Sequence, residues 1–262
     1  MEFIGEYMID PRDIAIKRKL EKIEKVIAFL SGKGGVGKSI ITALSGIILS
    51  RKKFNVGILD LDFHGPVIPT ILGIEKYEYS ESKSGLIPPN INGLKIMSIA
   101  FFTEDRSLPF RGTAKTSIFK EIMAITNWGK LNYLLVDMPP GTGDEILDFI
   151  KILGDRGNAI LITTPSIVSQ KVLERVIKLL VEIKFPIIGV IENMSYISMK
   201  EGKIELFGKT RTEDLAERYG LRLLGRLPFD MKLEMAQGSI ERLSETCLAR
   251  QLSQIIYRVF NL

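Results

Sequence analysis

The stretch Gly32-Lys33-Gly34-Gly35-Val36-Gly37-Lys38-Ser39 constrains this chain more than any other. It lies between an apolar run, Val26 to Leu30, and a helical-looking segment, Ile40 to Leu49. The spacing satisfies G-x-x-x-x-G-K-[ST], in which glycines let successive backbone N–H groups turn toward an anion while the following helix presents its positive end. A strand, a glycine loop and a helix in that order predict a phosphate-binding loop. Lys38 would reach the β- and γ-phosphates, and Ser39 would ligate magnesium.

The rest of the chain repeats the strand and helix alternation. Val56 to Asp60 is continuously apolar up to its last residue and reads as a buried strand, as do Leu94 to Phe101, Tyr133 to Val136, Ala159 to Thr163, Ile187 to Ile191 and Arg222 to Arg226. Helical patterns at Lys115 to Ile125, Glu145 to Ile152, Val168 to Ile183, Thr212 to Tyr219 and Leu243 to Val259 separate most of them. The class is therefore α/β, a mostly parallel twisted sheet with helices on both faces. Residues 1–25 form an N-terminal extension with a short basic helix over Pro11 to Lys25, and residues 26–262 form a single domain. Tyr77 to Asn90 lacks an apolar period and is expected as a loop, whereas Ser195 to Phe207 is expected as a hairpin around Glu201-Gly202.

Composition narrows the setting. The 262 residues are 45% apolar, ample for a sizeable core. A net charge of +5 is mildly basic, but Lys and Arg are spread along the chain, so nucleic acid is not an expected partner. One cysteine, Cys247, rules out an intrachain disulfide framework and fits a reducing compartment, with the cytoplasm the expected location. No apolar run approaches the roughly 18 residues that span a bilayer, and the acidic start (Glu2, Glu6, Asp10) lacks a signal-peptide pattern.

In an open parallel sheet, ligands bind beyond the carboxyl ends of the strands, so acids placed there matter most. Asp60 and Asp62 end one predicted strand, and Asp137 ends another. Asp137 is placed to hold magnesium directly or through its water shell, Asp60 is a further metal candidate, and Asp62 is positioned to orient an attacking water.

Together these residues resemble the Mrp/ApbC family within the MinD/ParA-like group of P-loop ATPases, from about Lys25 onward. The resemblance rests on the loop, on Asp60-Leu61-Asp62-Phe63-His64-Gly65-Pro66, on Asp137-Met138-Pro139-Pro140-Gly141-Thr142-Gly143-Asp144 and on Glu192-Asn193-Met194-Ser195. It implies an ATP- and magnesium-dependent P-loop fold of the SIMIBI type and an ATP-dependent homodimer. Lys33 is the signature of the deviant Walker A loop and would reach the partner's nucleotide. Asn193 matches a position that hydrogen-bonds adenine, and Pro228 one that packs on the base. Ile40 departs from the family's more usual threonine.

The larger departure follows Glu192-Asn193-Met194-Ser195. Many family members carry a Cys-x-x-Cys pair there for an iron-sulfur cluster, but this chain reads Tyr196-Ile197-Ser198-Met199-Lys200-Glu201-Gly202-Lys203. A homodimer would offer two thiolates where a [4Fe–4S] cluster takes four. The expectation is a slow ATPase that assists iron-sulfur or other metallocentre assembly beside a client or metallochaperone, without holding a cluster itself. Maturation of a nickel enzyme such as a hydrogenase is one alternative. The other is a MinD/ParA-like positioning switch binding membrane or DNA through the C-terminal segment, whose apolar face more simply docks on the protein's own core.

Overall fold

The computed structural model describes residues 10–63, 65–74, 77, 80–102, 115–199, 201–208 and 210–262, with the side chains of residues 144 and 145 outside that description. In chain order the strands are β1 (Ile23–Ser31), β2 (Val56–Asp60), β3 (Ser80–Ser82), β4 (Gly85–Ile87), β5 (Asn90–Ile91), β6 (Leu94–Ser98), β7 (Leu131–Asp137), β8 (Gly157–Thr163), β9 (Ile187–Met199), β10 (Gly202–Glu205) and β11 (Leu223–Pro228). The helices are α1 (Pro11–Leu20), α2 (Lys38–Arg51), α3 (Ile68–Leu72), α4 (Lys115–Ile125), α5 (Asp144–Leu153), α6 (Ile167–Glu182), α7 (Thr212–Arg218), α8 (Leu233–Ala236), α9 (Ile240–Ser244) and α10 (Cys247–Phe260).

Nine strands make one sheet in the order β10-β9-β8-β1-β7-β2-β6-β5, with β11 also paired to β9. Of these, β1, β2, β6, β7, β8, β9 and β11 run parallel, and β5 and β10 are antiparallel additions. Side chains alternate across a strand. Val26, Ala28 and Leu30 accordingly join the core under α1, α4, α5, α6 and α7, while Ile27 and Phe29 join the core under α2, α3, α8, α9 and α10. Both faces are covered, which is why the strands read as unbroken apolar runs.

The boundaries differ from the sequence reading where tertiary contacts decide them. Helix α1 stops at Leu20, and β1 starts at Ile23, three residues early, because Ile23 pairs with Leu131 and is buried. The strand expected to reach Phe101 ends at Ser98 and passes into a 3-10 turn over Ile99–Phe102. The segment expected as a loop contains the β3–β4 hairpin, closed by Gly85 at φ 117° and by Ser82 Oγ donating to Gly85 O at 2.7 Å. Leu243 to Val259 is broken in two, because Thr246 caps α10 by accepting from Ala249 N at 3.1 Å. Strand β9 absorbs the first arm of the expected hairpin and runs on to Met199.

The C-terminal helix α10 buries Leu248, Leu252, Ile255, Ile256 and Phe260 against α2 and β11. Its apolar stripe is thus covered by the protein's own core. Among the described residues, no helix is long and apolar enough to cross a membrane.

Candidate functional site

The glycine loop joins β1 to α2 at the carboxyl end of the parallel strands. Two glycines there are sterically fixed. A Cβ on Gly32 would come within 2.7 Å of Leu173 N and Val172 C in α6, and one on Gly37, which caps α2 at φ +85°, would come within 2.3 Å of Asn193 Nδ2. The loop is therefore pressed against two other elements as well as curved.

Beneath it lies a buried polar cluster. Lys38 Nζ sits 2.7 Å from Asp137 Oδ1 and 3.9 Å from Asp62 Oδ2, with the Lys38 side chain 5% and the Asp137 side chain 0% exposed. Ser39 Oγ donates to Asp137 Oδ2 at 2.6 Å. Thr42 Oγ1 lies 3.0 Å from both Lys38 O and Asp137 Oδ1. Asp137 is thereby held on both oxygens by residues one helical turn apart on α2. Burying a carboxylate this completely requires such partners. The segment after Asp137 is tied to the loop's approach as well, since Met138 N donates to Phe29 O at 3.2 Å and Gly141 N to Ser31 O at 3.0 Å.

The structure thus gathers Lys38, Ser39, Asp62 and Asp137 at one place. Lys33, Gly34, Gly35, Val36, Gly37, Lys38, Ser39, Ile40 and Asp62 line a cleft of about 230 Å³ that Val67, Ile71 and Pro140 complete. Lys33 is exposed at its rim. Two hollows of about 600 and 640 Å³ lie elsewhere, one between α1, α4 and α5 and one beside α3. Neither contains a glycine loop or a cation aimed inward from a helix start, so the smaller cleft is the candidate site.

Asp60 is placed differently from Asp62. It is 0% exposed, and its oxygens receive Asp62 N at 3.3 Å, Ile68 N at 3.1 Å and Ser98 Oγ at 3.0 Å. Those bonds fasten the turn that leads into α3. Burial, and secondarily the Asp137 carboxylate, raise the Asp60 pKa to about 7, against the three hydrogen bonds. Asn193 is 1% exposed, and its Nδ2 donates to Val36 O at 2.9 Å, so it braces the loop from behind; its Oδ1 is buried without a partner. Pro228 ends β11 opposite Tyr196 and does not line the cleft. His64, within the second motif, lies outside the described residues.

Thr42 is the site residue that the sequence reading passed over. Its signal was available, because Thr42 follows Lys38 by four positions and must share its helix face. Glu192 is the second. Fully buried, it accepts from Ser195 Oγ at 2.8 Å and from Thr210 Oγ1, with Arg226 Nε at 3.5 Å, and so anchors the strand that carries Asn193.

Oxygen donors from a serine and an aspartate below a glycine loop are of the kind a hard divalent cation takes beside phosphate. The thiol inventory is of another kind, with Cys247 alone at the start of α10. Among the described residues, no group of three or more His, Cys, Asp or Glu is placed to hold a metal ion.

Comparison with known proteins places this geometry. A family model described as ParA, NUBPL iron-transfer P-loop NTPase, matches residues 22–261. An iron-sulfur cluster carrier protein of Methanocaldococcus jannaschii is 37% identical over 234 residues, covering 87% of this chain and 81% of that protein. A nucleotide-binding protein of Archaeoglobus fulgidus, solved in complex with ADP and with cobalt, is 34% identical with a TM-score of 0.75, covering 89% of this chain and 93% of that one. The cell-division ATPase MinD of Pyrococcus furiosus shares the fold at 16% identity and a TM-score of 0.65, over 91% of this chain and 99% of that one. The chain therefore belongs to the NUBPL iron-transfer P-loop NTPase family, the Mrp-like branch of the ParA and MinD group that its four motifs resemble.

Proposed function

We propose that this protein binds and slowly hydrolyses ATP as a magnesium-dependent homodimer, and that it assists assembly of an iron-sulfur or other metallocentre as the energy-coupled partner. The cluster is cargo in this reading, held on a client or metallochaperone. The observation that carries the proposal is the buried set of Lys38, Ser39, Thr42 and Asp137 directly under a glycine loop. The family relatives named as iron-sulfur cluster carriers support the metallocentre side. The count of one cysteine sets this chain apart from a carrier that supplies four thiolates from two copies.

The residues divide the work. Loop amides and the amino end of α2 receive the phosphates. Lys38, held 2.7 Å from Asp137, exchanges that carboxylate for the β- and γ-phosphate oxygens when nucleotide enters. Ser39 and Asp137 would hold magnesium, which supplies charge neutralisation across the β- and γ-oxygens. Asp62, lining the cleft, orients the attacking water. Lys33, exposed at the rim, reaches the nucleotide of the second copy.

Hydrolysis by Lys38→Ala, followed as phosphate release with magnesium and with chelator, should fall at least about 100-fold, the scale for losing one charge-stabilising group. Activity equal to the parent would overturn the catalytic assignment. Lys33→Ala should retain nucleotide binding but lose ATP-dependent dimerisation; an unchanged dimer in sedimentation would sink the role in trans. Iron and sulfide analysis of anaerobically purified protein addresses the cargo, since a stoichiometric [4Fe–4S] cluster contradicts the reading.

A further inference from the structure

All seven parallel strands begin at the edge of the sheet remote from the glycine loop, and cations collect there. An exposed one precedes each strand except β6: Lys22 before β1, Lys53 before β2, Lys130 before β7, Arg156 before β8, Lys184 before β9 and Arg222 before β11. Lys25, Arg51 and Lys52 bring the exposed cations at this edge to nine, against five exposed carboxylates, Glu21, Glu24, Asp155, Glu182 and Glu241, the last facing Arg51 and Lys53. Elsewhere, Arg12, Lys38, Lys120, Lys178, Arg218 and Arg226 pair with carboxylates. Among the described residues, none of the nine at this edge makes a salt bridge.

The topology sets them in a row. Strands β9, β8, β1, β7 and β2 are consecutive in the sheet, and neighbouring strands lie about 4.8 Å apart, so the cations before them span about 19 Å. That length suits roughly six residues of extended polypeptide. We propose that the amino end of the sheet is a docking surface for an acidic segment of a partner protein.

Three observations favour a polypeptide over other polyanions. The carboxylates interrupt the row, which repels a uniformly charged phosphodiester chain but not a segment whose own charges vary along its length. Among the described residues at this edge, no ring is open for a base to stack on, since Phe54 packs edge-on against Tyr133 and Tyr257 is covered by Lys52 at 4.5 Å. Exposed apolar side chains here, Val181 and Ile183 at the end of α6 and Leu262 beside Tyr257, are too few and too scattered for a membrane-inserting face. The surface lies opposite the nucleotide cleft, so the inference is independent of the proposed ATPase and is tested without nucleotide.

The test is fluorescence anisotropy of the full chain with a labelled peptide of about ten residues in which glutamates alternate with serines, run from low to high salt. Single-stranded DNA of equal charge and phosphatidylglycerol vesicles serve as competing probes. Binding at low salt that weakens steeply as salt rises is expected. Lys22→Glu/Lys130→Glu/Lys184→Glu, with its melting temperature and nucleotide affinity as folding controls, should bind the peptide at least about 10-fold more weakly, the scale expected for reversing steering charges. Absence of peptide binding, parent-like binding by the triple variant, or tighter binding of DNA or vesicles would each overturn the proposal. If the triple variant fails to fold, the salt series decides: binding that persists unchanged near 0.5 M salt, where the screening length is only about 4 Å, overturns it too.

Discussion

The glycine loop and the β9–β10 hairpin both stand at the carboxyl end of the sheet, yet they are built on opposite terms. The loop is fastened from below by a buried lysine, a buried carboxylate and two hydroxyls, and from behind by Asn193 and by α6. The hairpin runs out past the sheet with all four residues of β10 exposed, including Ile204 at 54%. Nucleotide chemistry needs groups fixed to within fractions of an ångström, and buried polar contacts supply that. A strand exposed along its whole length needs only an anchored base. The two regions share β9, so the boundary between rigid and exposed structure runs along a single strand.

The largest expected effect comes from pressing on the rigid side. Gly37→Ala places a methyl group 2.3 Å from Asn193 Nδ2 at φ +85°, a backbone region that alanine avoids. The loop must shift or Asn193 must leave Val36 O. Isothermal titration should show nucleotide affinity at least about 10-fold weaker, about 1.4 kcal/mol or more. Parent-like affinity would mean that the loop is not braced from behind.

A second prediction uses charge. Asp60 has its pKa raised to about 7 from an ordinary 3.8, chiefly by burial. Between those values the folded state holds a proton that the unfolded chain has released, so the nucleotide-free protein loses stability as pH rises from about 4 through 7. Asp60→Asn should flatten that decline and raise the melting temperature at pH 8, by about 2–4 °C per kcal/mol for a domain of this size. The amide oxygen can keep the bonds from Ile68 N and Ser98 Oγ and give up only the 3.3 Å contact from Asp62 N. A variant that melts lower than the parent at pH 8 would show Asp60 to be stable as an anion, held by the turn before α3.

The same contrast explains what was legible in the residues. The loop, Asp62 and Asp137 could be placed because a glycine pattern and a carboxylate at a strand end are local signals with one structural meaning. Thr42 is local too, but its meaning depends on Asp137 approaching from β7, which no spacing announces. Asp60 illustrates the converse. It shares a strand end with Asp62, yet the path of the chain into α3 turns its oxygens to backbone donors, and α3 itself, five residues long, leaves no period to read. The break at Thr246 was hidden because the apolar spacing of Leu243, Leu248 and Leu252 continues across it, while the cap depends on one hydroxyl. Strand lengths slipped for a similar reason: Ile23 and Met199 belong to strands through their partners, not through their neighbours in sequence.

The smallest effect is expected in the exposed outer strand of the hairpin, and it tests where the rigid part of β9 ends. Ile204 pairs across the turn with Ile197 and is more than half exposed, so Ile204→Ala removes little buried area and should change stability by about 0.5 kcal/mol or less. ATP hydrolysis should be unchanged. The base of the hairpin is another matter, because Thr210 Oγ1 donates to the buried Glu192, which adjoins the loop-bracing Asn193. Thr210→Val leaves that carboxylate with Ser195 and Arg226 alone and should cost about 1–3 kcal/mol, the range for an unsatisfied buried group. Chemical denaturation of the two variants side by side gives the ordering. If the outer strand proves as costly as the base, the hairpin is part of the rigid site, and the division along β9 lies beyond Met199 instead of near Ser195.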